Sequence, residues 1–279
     1  MANSIARALL PGRQSETITD ANHRAVLAAR SIAWTALPWL LPAAAALLWV
    51  LGSHYGWISA QILPSPVLVF DTLSGLVRSG ELWMHISASL SRVAIGFAGG
   101  VVLGLLLGGL LGLSRTAEAY ILPSFNAVVQ VPVLGWLPFL MIVVGIGEPL
   151  KYLLIGHAAL VPVTLSTLQG FRKTPHSYLE VARVFQYSPF QTIFSVVLPS
   201  AVPVIGTGIR LAFTKAWLTL VVVELVASSE GLGYLIVYGR QLFQLDLVLA
   251  SVLIVGAIGY AADKALTLLE NKLSPPRLA

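Results

Sequence analysis

Cysteine is absent from the 279-residue sequence, which excludes a disulfide framework, a thiolate metal site and a cysteine nucleophile. Charge is scarce: Asp, Glu, Lys and Arg make up 10% of the residues, against about 25% in an average soluble domain. The five histidines, His23, His54, His85, His157 and His176, are scattered with no two at metal-ligand spacing, so no metal site is expected. No Gly-x-x-x-x-Gly-Lys-Ser/Thr phosphate loop occurs, and the chain is not expected to bind ATP itself. No cluster of His, Asp or Glu recurs at catalytic spacing, which argues against a membrane-embedded enzyme.

What is present is apolar. Hydrophobic residues account for 57% of the chain and the mean hydropathy is +0.84, so a lipid bilayer is the natural solvent. The net charge of +5 could in a soluble protein point to nucleic acid. Here the basic residues gather at the ends and in one loop, so membrane topology explains them and no nucleic-acid partner is expected. About thirty polar residues precede the first apolar run, too late for a secretory signal, and that run is expected to be an uncleaved span.

A spanning helix needs about 20 apolar residues. Six stretches qualify: Ala33 to Leu51, Val93 to Leu113, Tyr120 to Ile146, Leu150 to Leu168, Pro199 to Leu225 and Leu245 to Leu269. The second carries no charge and is expected to start earlier, near Leu82. The expected fold class is therefore an all-α membrane protein of about six transmembrane helices. A tail over 1–31 and another over 272–279 flank one membrane domain over 32–271, which includes a polar loop at 169–198. Counting Lys and Arg of the tails, loops and span ends gives eleven on one side and three on the other, which predicts both termini in the cytoplasm.

Gly96, Gly100, Gly104, Gly108 and Gly112 recur every four residues and line one helix face with hydrogen atoms, so another backbone can approach closely. The partner is either a helix of the same subunit or one of a second copy. The third span is interrupted by Pro123, Pro132 and Pro138; it is either a kinked packing helix or a broken helix beside a transport path. After the first span, Leu63-Pro64-Ser65-Pro66 predicts an extended turn and Val67 to Val77 a short amphipathic helix. Charges within spans are costly and usually functional. Arg210 and Glu224 share a face of the fifth span, and Lys215 sits about 140° away. Lys215 or Arg210 could lend positive potential to an anion path; alternatively Arg210 snorkels to the inner boundary.

The loop from Gln169 to Leu198 is too polar to cross a membrane and too patterned to be structureless. Thr174-Pro175 and Ser188-Pro189 are both helix-start signals, and Gln191 completes a capping box with Ser188. Two short helices are predicted, about Pro175 to Gln186 and Pro189 to Val197, with a turn near Tyr187. On the first, Tyr178, Val181, Ala182 and Phe185 share an apolar face, which either packs on the chain's own helices or enters a partner's groove.

Glu180-Val181-Ala182, ending in Val196-Val197-Leu198-Pro199, resembles the EAA loop of ABC importer permeases, Glu-Ala-Ala, three residues, Gly, nine residues, Ile, one residue, Leu-Pro. Val181 replaces the first alanine, Val196 the isoleucine and Gln186 the glycine. Further stretches narrow the resemblance to the taurine, aliphatic sulfonate, nitrate and bicarbonate type: Leu63 to Pro66; His85 with Ser89, Arg92 and Gly96-Phe97; Leu111 to Ser114; Leu137-Pro138; Gly145 to Glu148; Gly208 to Ala212; Glu224-Leu225; and Gly231 to Tyr234. Gln130 to Leu134 departs from the family's denser proline cluster. The resemblance implies a type I ABC importer permease fold with cytoplasmic coupling helices, in the bacterial inner membrane. It implies that Glu180, Ala182, Arg183, Phe185, Gln186, Tyr187 and Ser188 engage an ABC ATPase subunit, which binds the ATP. It further implies a second permease copy and a periplasmic solute-binding protein, with no cofactor in this chain. Pro132, Trp136, Arg210, Lys215 and Glu224 are the candidate path residues. The rival reading is a secondary transporter or channel independent of ATP, which has no physical need of a paired-helix loop.

Overall fold

Hydrocarbon offers backbone groups no hydrogen-bond partner, so a chain this apolar must satisfy them internally. A computed structural model describes residues 37, 39–57, 59 and 62–273, and among these every regular element is helical. The chain divides into two compact units, Met1–Pro66 and Val67–Ala279. In the first, α1 (Trp39–His54) is a short apolar helix. The Trp49 indole N–H donates to the Pro64 carbonyl at 3.0 Å. The expected start of this span at Ala33 lies outside the described residues.

The second unit opens with α2 (Pro66–Ser79) and α3 (Glu81–Leu113). Gly80 joins them at φ 78°, a left-handed conformation that costs glycine nothing and other residues about 1–2 kcal/mol. α4 (Arg115–Val129) follows, then a 3₁₀ turn (Val133–Trp136), α5 (Leu137–Val144) and α6 (Glu148–Arg172). The loop carries α7 (His176–Val184) and α8 (Pro189–Thr192); a π turn (Ile193–Val197) runs into α9 (Leu198–Ala227). α10 (Leu232–Gln241) and α11 (Leu245–Leu273) close the unit.

Four described helices are long and apolar enough to span a bilayer, and the bent pair 115–129 and 133–144 raises the number to five. The bend of 85° comes at Gln130–Pro132. Pro123, an expected interruption, sits inside α4. The second span starts at Glu81, close to the expected Leu82; its charge-free stretch begins after Arg92, which lies in the added N-terminal turns.

α6 is the central helix: half of its most apolar window is buried, against 22–28% for the other three long helices. It lies between α3 and α9. The glycine face of α3 makes the first contact possible. A Cβ on Gly100 would stand 2.7 Å from Ala159 Cβ, one on Gly104 2.8 Å from Val163 Cβ, and one on Gly108 2.7 Å from Thr167 Cβ. Gly96 and Gly112 meet Ile155 and Phe171 in the same way. All five glycines thus face α6 of the same chain. Between them the helices bury Ile155, Ala159, Val163 and, from α9, Ala212, Ala216 and Leu220. Elsewhere large apolar side chains such as Leu103, Leu106 and Ile142 stand exposed, as lipid or subunit contact requires.

Candidate functional site

The polar loop is built from local signals. α7 ends in a left-handed turn: Gln186 has φ 53°. The Tyr187 N–H reaches the Ala182 carbonyl at 2.9 Å and the Gln186 N–H the Arg183 carbonyl at 3.0 Å. This paired closure satisfies carbonyls that the helix end would orphan. The left-handed residue falls on the position where the EAA pattern has glycine, so the chain keeps the turn geometry without the residue that makes it free. Ser188 then starts α8 with the expected capping box: its Oγ accepts from the Gln191 N–H at 3.3 Å and its N–H donates to Gln191 Oε1 at 2.9 Å. Thr174 is not the expected cap of α7. Pro175 holds the cap position, and the Thr174 hydroxyl lies 3.0 Å from Ser200 Oγ, tying the loop to α9. The second helix is one α turn followed by the π turn, continuous with α9.

Ala182 is buried, while Tyr178, Val181, Val184, Phe185 and Phe190 are exposed. Glu180, Arg183, Gln186 and Ser188 are exposed too, and Glu180 has no ion-pair partner among the described residues. A groove of about 930 Å³ runs between this ridge and the start of α9, lined by Lys173, Tyr178, Phe185, Tyr187, Val196 and Pro199. Of the apolar face, Ala182 packs inward while Tyr178, Val181 and Phe185 stay uncovered.

At the opposite end of α6 the helices are joined by a charge cluster. Arg92, 2% exposed, uses all five of its N–H donors. Nε and Nη2 grip Glu148 at 2.9 and 2.8 Å. Nη1 reaches Glu224 Oε1 at 2.9 Å and the Glu230 carbonyl at 2.7 Å, and Nη2 also reaches Glu230 Oε1 at 3.0 Å. Lys151 adds a contact to Glu148 at 2.7 Å. Glu224 also accepts from the Ser89 hydroxyl at 2.8 Å and the Gly233 N–H at 2.9 Å. The start of α10 is held the same way: the Gly231 N–H donates to His85 Nδ1 and the Leu232 N–H to Ser89 Oγ, both at 2.9 Å. These are the orphan donors of a helix N-terminus, and a carboxylate is their favoured acceptor. Gly231 has φ 112°, and a Cβ there would collide with the Glu224 carboxylate.

Sequence reasoning missed this cluster and the helix α10. His85, Ser89 and Arg92 recur at i, i+4 and i+7, one face of α3, and that spacing was the available signal. Lys151, at the start of the expected fourth span, sits in the first turn of α6 with 4% exposure.

The five candidate path residues are not brought together. Pro132 and Lys215 line one cleft of about 640 Å³, with His157, Pro162, Ser166 and Gln169. Trp136 packs against the neighbouring cluster of Leu150, Leu154 and Val223. Arg210 turns to α11, where Nε and Nη2 contact Asp263 at 2.8 and 3.0 Å. Glu224 belongs to the charge cluster. Among the described residues no group of three or more metal-ligating side chains forms.

A multi-pass helical unit with a broken span and a projecting paired-helix loop defines the class of membrane-embedded transport permeases. The comparisons agree. The chain's fold matches inward-facing conformations of the MetNI methionine ABC transporter, with a TM-score of 0.57 over 70% of this chain and 99% of that one, at 18% identity. Residues 100–275 match the binding-protein-dependent transport system inner membrane component family. The putative aliphatic sulfonates transport permease of Bacillus subtilis is 41% identical over 84% of this chain and 85% of its own length. The taurine transport system permease of Escherichia coli is 33% identical over 78% and 81%, and the nitrate import permease of Synechocystis 31% over 76% and 81%. The chain belongs to the family of binding-protein-dependent transport system inner membrane components, as a permease subunit of an ABC importer rather than an enzyme.

Proposed function

We propose that this permease imports a small organic monoanion of the aliphatic sulfonate kind, as part of an assembly of two permease copies. In it an ATPase subunit binds the ATP and a periplasmic binding protein delivers the solute. The substrate reading rests on the relatives that carry sulfonate and taurine in their names and on the unpaired Lys215 in the cleft. Both termini and the loop at 169–198 lie in the cytoplasm, on the strength of the Lys and Arg distribution, and lipid covers the exposed apolar faces.

The observation that carries the coupling mechanism is the exposed ridge of α7 beside the unpaired Glu180. Its two ends are fixed, one by the left-handed turn at Gln186 and the other by the Thr174–Ser200 contact, so a push on the ridge moves α9 and, through it, α6. An apolar ridge with flanking charge is what a protein groove receives, and domain rocking about such contacts is a general mode of switching. A channel independent of ATP would gain nothing from exposing these side chains.

Substituting Glu180→Lys tests the assignment. Co-purification of the ATPase, or its stimulation by the loaded binding protein, is expected to be lost while the amount of folded permease stays unchanged. Stimulated hydrolysis equal to that of the unaltered assembly would refute the role of Glu180.

A further inference from the structure

The two arginines deepest in the long spans and the cations of α6 are neutralised in place, and Arg115, Lys264 and Lys272 stand at or near helix ends. Arg92 and Lys151 share Glu148, Arg172 pairs with Glu118, and Arg210 pairs with Asp263. Lys215 has no carboxylate partner among the described residues, although it lies well inside α9. An ammonium in an apolar wall is costly unless a countercharge arrives.

The surroundings of Lys215 are specific. Glu148 and Glu224 are held by the same guanidinium, so those points of α6 and α9 stand at one level. His157 lies nine residues along α6 from Glu148, and Lys215 lies nine residues before Glu224 on α9. At 1.5 Å per residue both are about 14 Å from the charge cluster, near the middle of a hydrocarbon layer about 30 Å thick. Both line the same cleft of about 640 Å³, with Ser166 and Gln169 as further polar groups and Val133, Val161, Leu165 and Leu211 among its apolar walls.

We infer that Lys215 and His157 form a mid-membrane station for a singly charged oxoanion bearing a short aliphatic group. The ammonium supplies one positive charge and three donors, and the imidazole supplies a neutral donor at the same depth. One charge matches a sulfonate. Sulfate would bring a second, uncompensated charge into the cleft. Nitrate has no apolar part to set against the valine and leucine walls. This inference deepens the proposed import of an organosulfonate and rests on it for the substrate, but the station itself is testable without transport.

The chain has no cysteine, so His157→Cys creates its single thiol. The purified full-length chain is treated with an anionic and with a cationic methanethiosulfonate reagent. Adding Lys215→Met is expected to lower the anionic-to-cationic rate ratio at that thiol at least about fivefold, and adding Lys215→Arg to leave it within about twofold. A ratio unmoved by Lys215→Met, or a thiol that neither reagent reaches, overturns the station. In proteoliposomes holding the whole assembly, radiolabelled ethanesulfonate uptake is expected to fall at least about tenfold with Lys215→Met and to be kept by Lys215→Arg, at equal permease content. Uptake by the Lys215→Met assembly within about twofold of the unaltered one also overturns it. If the rate ratio shifts but the unaltered assembly takes up no ethanesulfonate, the sulfonate reading fails and the station stands for another monoanion.

Discussion

Replacing Arg92 with methionine removes the five guanidinium hydrogen bonds that tie α3 to α6 and to the α9–α10 connection. The cost can be worked partner by partner. Glu148 is 41% exposed on its side chain and keeps Lys151, so its lost contact behaves as a surface pair worth about 0–1 kcal/mol. Glu230, at 46%, behaves alike. Glu224 has no exposed side-chain surface and would retain the Ser89 and Gly233 donors but no countercharge. Stripping one partner from a buried pair costs about 3–5 kcal/mol, so Glu224 dominates. At roughly 2–4 °C per kcal/mol for a chain of this size, Tm falls on the order of 10 °C. Glutamine at 224 can still accept from Gly233 and carries no charge, so the double variant Arg92→Met with Glu224→Gln is expected to regain about 1–3 kcal/mol. The assay is thermal unfolding of the detergent-purified chain in a four-member mutant cycle. Additive losses, or an Arg92→Met variant within about 2 °C of the unaltered protein, would refute the reasoning.

Two further substitutions probe the packing and the loop. Gly100→Val drives a side chain into Gly156 and Ala159 and is expected to cost about 1–3 kcal/mol or more, read as lost folded yield. Its neighbour Gly99 has open space where a methyl group would stand, with nothing within 4 Å, and Gly99→Ala should be silent. Gln186→Gly removes the left-handed strain at φ 53° and is expected to stabilise the end of α7 by about 1 kcal/mol, whereas Gln186→Val should weaken it; hydrogen exchange at the Tyr187 amide reports both.

Much of this architecture follows from patterns visible along the chain, because hydropathy and capping act locally. The long helices announce themselves by apolar length, the glycine face by its period of four, and α8 by Ser188 with Gln191. Other features depend on contacts far apart in sequence. The bonds of Arg92 cross 56, 132 and 138 residues, so no local window could reveal them, and α10 is only ten residues long with its first turn anchored by His85, Ser89 and Glu224. Thr174 looks like a cap in isolation, but tertiary packing turns its hydroxyl to Ser200. Arg210 and Glu224 share a helix face in sequence. Their fates differ because Asp263 lies beside one and Arg92 beside the other, and neither neighbour is local. Lys215 is distinguished from them only by the lack of a carboxylate beside it among the described residues.

Coupling requires the α7 ridge to meet an ATPase in the cytoplasm, and a single thiol at Val184, which is 80% exposed, tests that most directly. In a Val184→Cys variant, a membrane-impermeant thiol reagent is expected to label inside-out vesicles and not right-side-out ones, and a short crosslinker is expected to join the residue to the ATPase subunit. Labelling from the outer face, or an assembly that transports at full rate with Val184→Cys never crosslinking to an ATPase, would contradict it.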